Sequence, residues 1–439
     1  MPTIGNSQLK LLEKLCNAVA VSGDEGDVRL IGLDEIKGYC KTPKVDALGN
    51  VLAVRLGTGK KRLRVMVAAH MDEVGFMLVG EDGEGLFRFE LVGGMDIRQL
   101  VGKQVQVGKD HTPGVIGARP IHLTTAEERR KTIPLDALRI DIGPEGKAKL
   151  GDRATFATKF QRSGPSIFSK ALDNRFGVAI LIELLKNAPA NIDLMAAFTV
   201  QEENGLRGAK VAAHALDPQV GIAVDSTPAN DLPHWENEEN PAYNTRLGLG
   251  PALYMADGAT FSDPRLVRHF LQVAEVEKIP CQVRQPGGGG TDAGSLHRAR
   301  AGIPSLSISI PHRYSHTAVL LARLHGRRKT IAAAALILIA LLDFYPGSYA
   351  GSLTEIKARP LDTWLASQPG SGAVAIFPFE QVEEQFNIYA THIHGKPFIG
   401  GLFNANQPPQ YTYIKPIMDE FPARQSIELL QELGITYVV

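Results

Sequence analysis

The chain has 439 residues, 44% apolar and 21% charged, and its 47 basic and 47 acidic side chains give a formal net charge of zero. This length exceeds one ordinary core and calls for two or three domains; the balanced charge gives no global pull toward nucleic acid or an anionic membrane. Cys16, Cys40 and Cys281 are scattered, with no Cys-x-x-Cys pair, which argues against a disulfide framework or cysteine zinc site and fits a reducing, cytoplasmic setting.

At the N-terminus, Leu11, Leu12, Leu15 and Val19 fall on one face of an amphipathic helix, not in a signal-peptide core. Strand-like runs follow at Val45–Arg55 and Arg64–Ala69. Between about residues 76 and 165 the pattern changes to short β-type runs broken by glycine, such as Phe87–Val92, Gln104–Val107 and Leu138–Ile142, as expected of a small β domain. From about 170 to 345 the apolar strands Leu194–Val200, Val220–Val224 and Ser305–Ser309 alternate with helical stretches at Phe176–Leu185, Leu206–His214 and Pro264–Glu277. That alternation predicts an α/β fold, a mostly parallel sheet covered by helices. The chain thus reads as one α/β domain, residues 1–75 and 166–345, interrupted by a β domain at 76–165. Residues 346–439 are richer in aromatics and proline, carry strand-like runs at Ala373–Phe377 and Ile435–Val439, and read as an extra α+β unit. The longest apolar run, Ile331–Leu342, has 12 residues; a membrane-spanning helix needs about 20, so by itself it reads as a buried helix.

Several of these strands end in groups that bind metal. His70-Met71-Asp72 follows Val65–Ala69 directly, at the carboxyl edge where open α/β sheets place their sites. Side chains two apart in extended chain point the same way, so His70 can bind an ion while Asp72 orients it; a polar surface turn is the alternative. Asp173, in Ala171-Leu172-Asp173-Asn174-Arg175, is a ligand candidate, unless the Asp or Asn there is simply a helix N-cap. Glu202 and Glu203 end the strand Leu194–Val200, where a buried carboxylate pair is costly without cations; one can ligate while the other acts as base, or both lie in a solvated loop. Asp225 ends Val220–Val224, and His316, in Tyr314-Ser315-His316-Thr317, follows Ser305–Ser309. His297 and His312 read as structural. Two histidines and three carboxylates gathered at one sheet edge suit two borderline divalent ions such as zinc, cobalt or manganese, about 3.5–4 Å apart, with one bridging carboxylate. Gly287–Gly290, followed by Thr291-Asp292-Ala293-Gly294, lacks the Gly-Lys-Ser/Thr of a P-loop and reads as backbone approaching substrate; Asp292 either supports the site or stabilises this loop.

The stretches AAHMDEVGFM, GVIGARPIHL, KALDNRFGVA, TVQEENGLRGA, AVDST, SDPRLVRHF, RQPGGGGTDAGSLH and PHRYSHTAV, in order over residues 8 to 319, resemble the tetrahedral (deblocking and glutamyl) aminopeptidase family of dinuclear metallopeptidases. The resemblance implies a dinuclear zinc exopeptidase-like fold with an inserted β-barrel or PDZ-like dimerisation domain. It makes Asp173 the bridging ligand, with His70 and Asp225 completing one ion and Glu203 and His316 the other. It also makes Glu202 the general base and Asp72 the group orienting His70. Peptides would be the substrates, cut after their first residue, and the assembly a homo-oligomer, from dimer to dodecamer, unless the tail blocks it.

The likeness stops after Val319, where the basic stretch Leu320–Lys329 replaces the acidic segment usual in relatives. LDFYPGS, GAVAIFPFE, HGKPFIGGLFN and LGITYVV instead resemble the soluble end of multi-pass bacterial membrane glycosyltransferases, in which Ile331–Leu342 would close the last membrane helix. A fusion, a natural rearrangement or a gene-model artefact would produce such a chain. His392 and His394 have no acids at ligand spacing. The alternatives to an aminopeptidase are a related dinuclear hydrolase, a catalytically inactive assembly protein, and a fragment of a membrane glycosyltransferase.

Overall fold

A computed structural model describes residues 5–60, 62–229, 231–232, 245–324, 360–369, 373–375, 396 and 409–438. The run Ile331–Leu342 and the histidines His392 and His394 lie outside the described residues. The chain packs as two units, Met1–Gly347 and Ser348–Val439.

The first unit opens with α1 (Asn6–Asn17), α2 (Gly26–Glu35), β1 (Lys44–Val45), β2 (Val51–Arg55) and β3 (Leu63–His70). The single strand expected over Val45–Arg55 is a hairpin. Asp46 accepts the backbone N–H groups of Leu48, Gly49 and Asn50 at 2.9–3.0 Å, an Asx turn that reverses the chain.

β4 (Gly75–Glu81), β5 (Leu86–Val92), β6 (Gln104–Val107), β7 (Thr112–Gly117), β8 (Arg139–Asp141) and β9 (Arg153–Phe156) close into a barrel in the order β4-β5-β8-β7-β6-β9. Every pairing in it is antiparallel. Alternate residues point inward and build a separate core, in which Phe76 meets Phe89 and Phe156 edge to face at 5.2 and 5.3 Å. Closure leaves no free strand edge.

The chain then returns through β10 (Gln161–Ser163), β11 (Ser166–Ser169), α3 (Leu172–Lys186), β12 (Ile192–Thr199), α4 (Arg207–Leu216), β13 (Val220–Pro228), β14 (Ala252–Tyr254), α5 (Pro264–Val276), β15 (Gln282–Arg284), α6 (Ala293–Leu296), β16 (Ser305–Arg313) and β17 (Leu320–Arg323). The 11-stranded sheet runs β1-β2-β12-β3-β13-β16-β17-β11-β10, with β14 and β15 joined through β16. Its centre, β12-β3-β13-β16, is parallel, and its flanks are antiparallel. The central strands are apolar on both faces because both are covered. Val65, Val67 and Ala69 of β3 face a core shared with α1, α2, α3 and α5, while Met66 and Ala68 face α4 and α6.

In the second unit the described elements are α7 (Pro360–Ser367), β18 (Ala373–Ala375), α8 (Pro409–Met418), α9 (Arg424–Glu432) and β19 (Ile435–Val438); β18 and β19 pair in parallel. Among the described residues no helix is long and apolar enough to cross a membrane.

Candidate metal centre

Parallel pairing sends β3, β12, β13 and β16 to the same sheet edge. Thr199 lies in register with His70 and Asp225 with Ser309, so the residues that follow or end each strand gather there. β16 is longer than its apolar stretch and runs to Arg313, which carries the chain to His316. β11 delivers Asp173 after a short connection. Regular helical backbone begins only past Asn174, whose Oδ1 accepts the Gly177 N–H at 2.9 Å, so the N-cap is Asn174 and not Asp173.

Non-glycine residues with left-handed backbone flank Asp173, the Glu202–Glu203 turn and His316. Ala171 (φ 54°), Gln201 (φ 54°), Leu206 (φ 57°), Tyr314 (φ 64°) and His316 itself (φ 56°) all lie beside this edge. Each such residue costs on the order of 1–3 kcal/mol, tolerated where surrounding structure over-determines it and concentrated at functional sites.

Both histidines are held by Nδ1 and turn Nε2 inward. His70 Nδ1 lies 3.1 Å from the Asp72 carbonyl and 3.5 Å from Asp72 Oδ1; its Nε2 lies 3.3 Å from Asp173 Oδ1 and 3.4 Å from Asp225 Oδ1. His316 Nδ1 lies 2.7 Å from the Gly94 carbonyl, while Nε2 faces Glu203 Oε2 at 3.4 Å and Asp173 Oδ2 at 3.7 Å. A carbonyl at Nδ1 fixes the tautomer that leaves Nε2 free to ligate. The two oxygens of Asp173 therefore face different histidines. Ligand atoms of His70, Glu202 and Asp225, and of Asp173, Glu203 and His316, form two sets, each within 4.8 Å. Glu202, expected as a base, has an oxygen in the first set.

Asp72 does more than orient His70. Its Oδ1 accepts the Glu202 N–H at 3.1 Å, and its Oδ2 accepts the Glu203 N–H at 3.2 Å and the Ser22 hydroxyl. One carboxylate thus ties the end of β3 to the turn carrying both glutamates. Although burial opposes ionisation, His70 and these donors hold the Asp72 carboxyl below its ordinary range.

Burial sets the electrostatics. It pushes the Glu202 carboxyl well above the usual range, Glu203 to about 8, Asp292 to about 7, and Asp225 upward. Asp173 goes the other way: burial is outweighed by hydrogen bonding and attraction to His70. Among the described residues no lysine or arginine lies within ion-pair distance of Asp173, Glu202, Glu203 or Asp225. Buried carboxylates without cations are held near neutrality only by protons. Two imidazoles and four carboxylates in two adjoining sets, short of positive charge, fit a pair of divalent ions. The residues surround a cavity of about 690 Å³.

The supporting groups were hidden from sequence reasoning. Glu73 meets Lys170 Nζ at 2.7 Å and Arg175 Nη2 at 3.0 Å, and accepts the Thr155 hydroxyl at 2.8 Å, all buried. Arg175 also donates to the Met71 and Asp72 carbonyls. Charged residues inside the apolar motifs HMDEVG and KALDNR were the available signal. Asp292 accepts the Thr199 hydroxyl at 2.5 Å. His297 Nδ1 reaches the Ala293 carbonyl at 3.0 Å, and buried His312 pairs with Ser315.

A family model described as M42 glutamyl aminopeptidase matches residues 49–332. A putative aminopeptidase of Acetivibrio thermocellus is 38% identical over 70% of this chain and 92% of its own length. The lysyl aminopeptidase of Pyrococcus furiosus is 33% identical over 77% of this chain and 99% of its own. Among solved structures, the Pyrococcus horikoshii TET1 peptidase, which can assemble into a tetrahedron or a large octahedral shell, superposes with a TM-score of 0.65 at 34% identity, covering 76% of this chain and 98% of that one. With this extent of match around the convergent residues, the chain belongs to the M42 glutamyl aminopeptidase family and is a metal-dependent aminopeptidase, a hydrolase of peptide bonds.

Proposed function

We propose that the chain holds two divalent ions, one on His70 and Asp225, the other on Glu203 and His316, with Asp173 shared between them. The observation that carries this reading is the division of Asp173, Oδ1 toward His70 and Oδ2 toward His316. Such a pair of ions, when bound, polarises a carbonyl and makes water a nucleophile near neutral pH.

Everything else falls to the chain's own residues. Glu202 is the general base: it takes the proton of the attacking water and returns it to the departing amine. Its buried carboxyl, already biased toward holding a proton, suits that exchange. Asp72 fixes the backbone of Glu202 and Glu203 and the tautomer of His70, so base and ligands keep one geometry. The Gly94 carbonyl, from the segment after β5, orients His316 and makes the barrel part of the site's support.

For the domains, the reading is a catalytic α/β domain at 1–75 and 166–345, an inserted barrel at 76–165 that serves assembly into homo-oligomers, and a C-terminal unit of foreign type at 346–439. The shell formed by the horikoshii relative supports the oligomer, and separate packing of Ser348–Val439 supports the foreign unit. Three free cysteines favour a reducing, cytoplasmic setting.

The test is a count of metal per purified chain, with turnover of aminoacyl anilides before and after chelation. Two ions and chelator-sensitive release of the first residue are expected; full activity after metal removal contradicts the reading.

A further inference from the structure

Within the peptidase cavity, and resting on the function proposed above, one wall carries a cation with no counterion among the described residues. Arg284 ends β15, and β15 pairs in parallel with β14 so that Arg284 stands beside Tyr254. Its guanidinium carbon lies 4.3 Å from the centre of the Tyr254 ring. On the other side, its Nη2 donates to the Gly288 carbonyl at 3.0 Å. A Cβ at position 287 would come within 3.1 Å of that same nitrogen, so glycine there leaves room for the planar group. Arg284, Tyr254 and Gly288–Gly290 all line the cavity that contains the candidate metal ligands.

The guanidinium is thus stacked and clamped, yet incompletely satisfied. Its Nη1 is out of solvent and has no hydrogen-bond acceptor among the described residues, and no carboxylate there lies within ion-pair distance of it. Ser226, adjoining Asp225, also lines the cavity, and its buried Oγ has no hydrogen-bond partner among the described residues. An unsatisfied buried donor is costly, and a charged one more so. A guanidinium already fixed in its plane loses little freedom on binding and matches the fork of a carboxylate. Acidic groups elsewhere in the cavity are the candidate ligands and base, which the ions neutralise.

We propose that Arg284 is a carboxylate receptor for the substrate, held in place by Tyr254 and the Gly287–Gly290 loop. The carboxylate has two possible sources: an acidic side chain on the residue being removed, or the C-terminal carboxylate of a very short peptide. It gives the glycine loop a definite task, which is to hold the guanidinium and admit the ligand's anionic end.

Matched substrate pairs test this on the metal-loaded full chain. Glutamyl against glutaminyl anilide isolates the side chain, and leucyl-leucine against leucyl-leucine amide isolates the far carboxylate. In one pair the carboxylate member should have a kcat/KM about tenfold or more above its neutral twin, the scale of a charged hydrogen bond. Arg284→Met should collapse that ratio toward unity, and Arg284→Lys should restore part of it, a pattern that simple loss of packing does not produce. Preference in the first pair assigns the acidic side chain; preference in the second assigns the chain end. No preference in the wild-type chain, or a ratio untouched by Arg284→Met, overturns the proposal while leaving the peptidase reading intact. If no substrate turns over, the peptidase reading fails, and calorimetric titration still decides the role of Arg284. Tighter binding of L-glutamate than L-glutamine, or of leucyl-leucine than its amide, that is lost in Arg284→Met sustains the receptor; equal binding refutes it.

Discussion

Two buried charge clusters stand back to back on the segment His70–Glu73, and they balance charge in opposite ways. Behind the sheet edge, Glu73 is surrounded by Lys170 and Arg175, which hold its carboxyl below the ordinary range despite burial. In front, the carboxylates that converge with His70 and His316 have no lysine or arginine among the described residues, and burial pushes Glu202, Glu203 and Asp225 upward. The rear cluster is complete as a protein structure. The front cluster is short of cations, and that shortage separates a brace from a metal site more clearly than burial or residue type does.

The sharpest way to separate the two is to neutralise one acid in each. Glu202→Gln should retain metal and lower kcat by about 10²–10⁴, the range of general-base contributions; metal analysis beside steady-state kinetics checks both halves, and near-normal turnover removes Glu202 from the mechanism. Glu73→Gln should act on folding instead. It leaves Lys170 and Arg175 buried without their counterion and should cost about 3–5 kcal/mol, read as a lower denaturation midpoint. By contrast, Asp225→Asn in chelator-treated protein should raise that midpoint, because it removes one of four carboxylates that share two imidazoles. If both substitutions shift stability the same way, the contrast between the clusters is wrong.

A smaller effect concerns pH. Glu203 and Asp292, at about 8 and about 7, bind protons more tightly folded than unfolded. Their contribution to stability is therefore intact in acid and is lost as pH rises through those values, by up to about 1.4 kcal/mol per pH unit for each proton released. His70 and His316, raised by neighbouring carboxylates against the effect of burial, act in the same direction. Metal-free protein should melt at a lower temperature at pH 8.5 than at pH 6, and added zinc should remove most of the difference. A flat profile for the metal-free chain contradicts the electrostatics of the front cluster. The smallest change is Thr155→Val, which deletes the barrel's hydroxyl to Glu73. It should cost about 1 kcal/mol.

Much of this was legible in the sequence because the central strands are buried on both faces. Continuous apolar runs ending in His70, Glu203 and Asp225 announce both a parallel sheet and the edge where its functional groups emerge. Periodicity did not reveal the hairpin within Val45–Arg55, where one aspartate side chain reverses the backbone. It also left Asp173 ambiguous, since an aspartate before a helix reads as a cap until its two oxygens are seen facing different histidines. The role of Gly94 was invisible: it acts through its backbone carbonyl, which carries no sequence signature. Lys170, Arg175 and Arg284 look like ordinary surface cations in the chain; only the fold shows two of them buried on one glutamate and the third stacked on Tyr254.

The most direct test of the central claim is anomalous diffraction from crystals of the zinc-loaded full chain, collected at the zinc edge. Two peaks are predicted, with Asp173 between them, His70 and Asp225 at one, and Glu203 and His316 at the other. A single peak, or two peaks that do not share Asp173, would contradict the account.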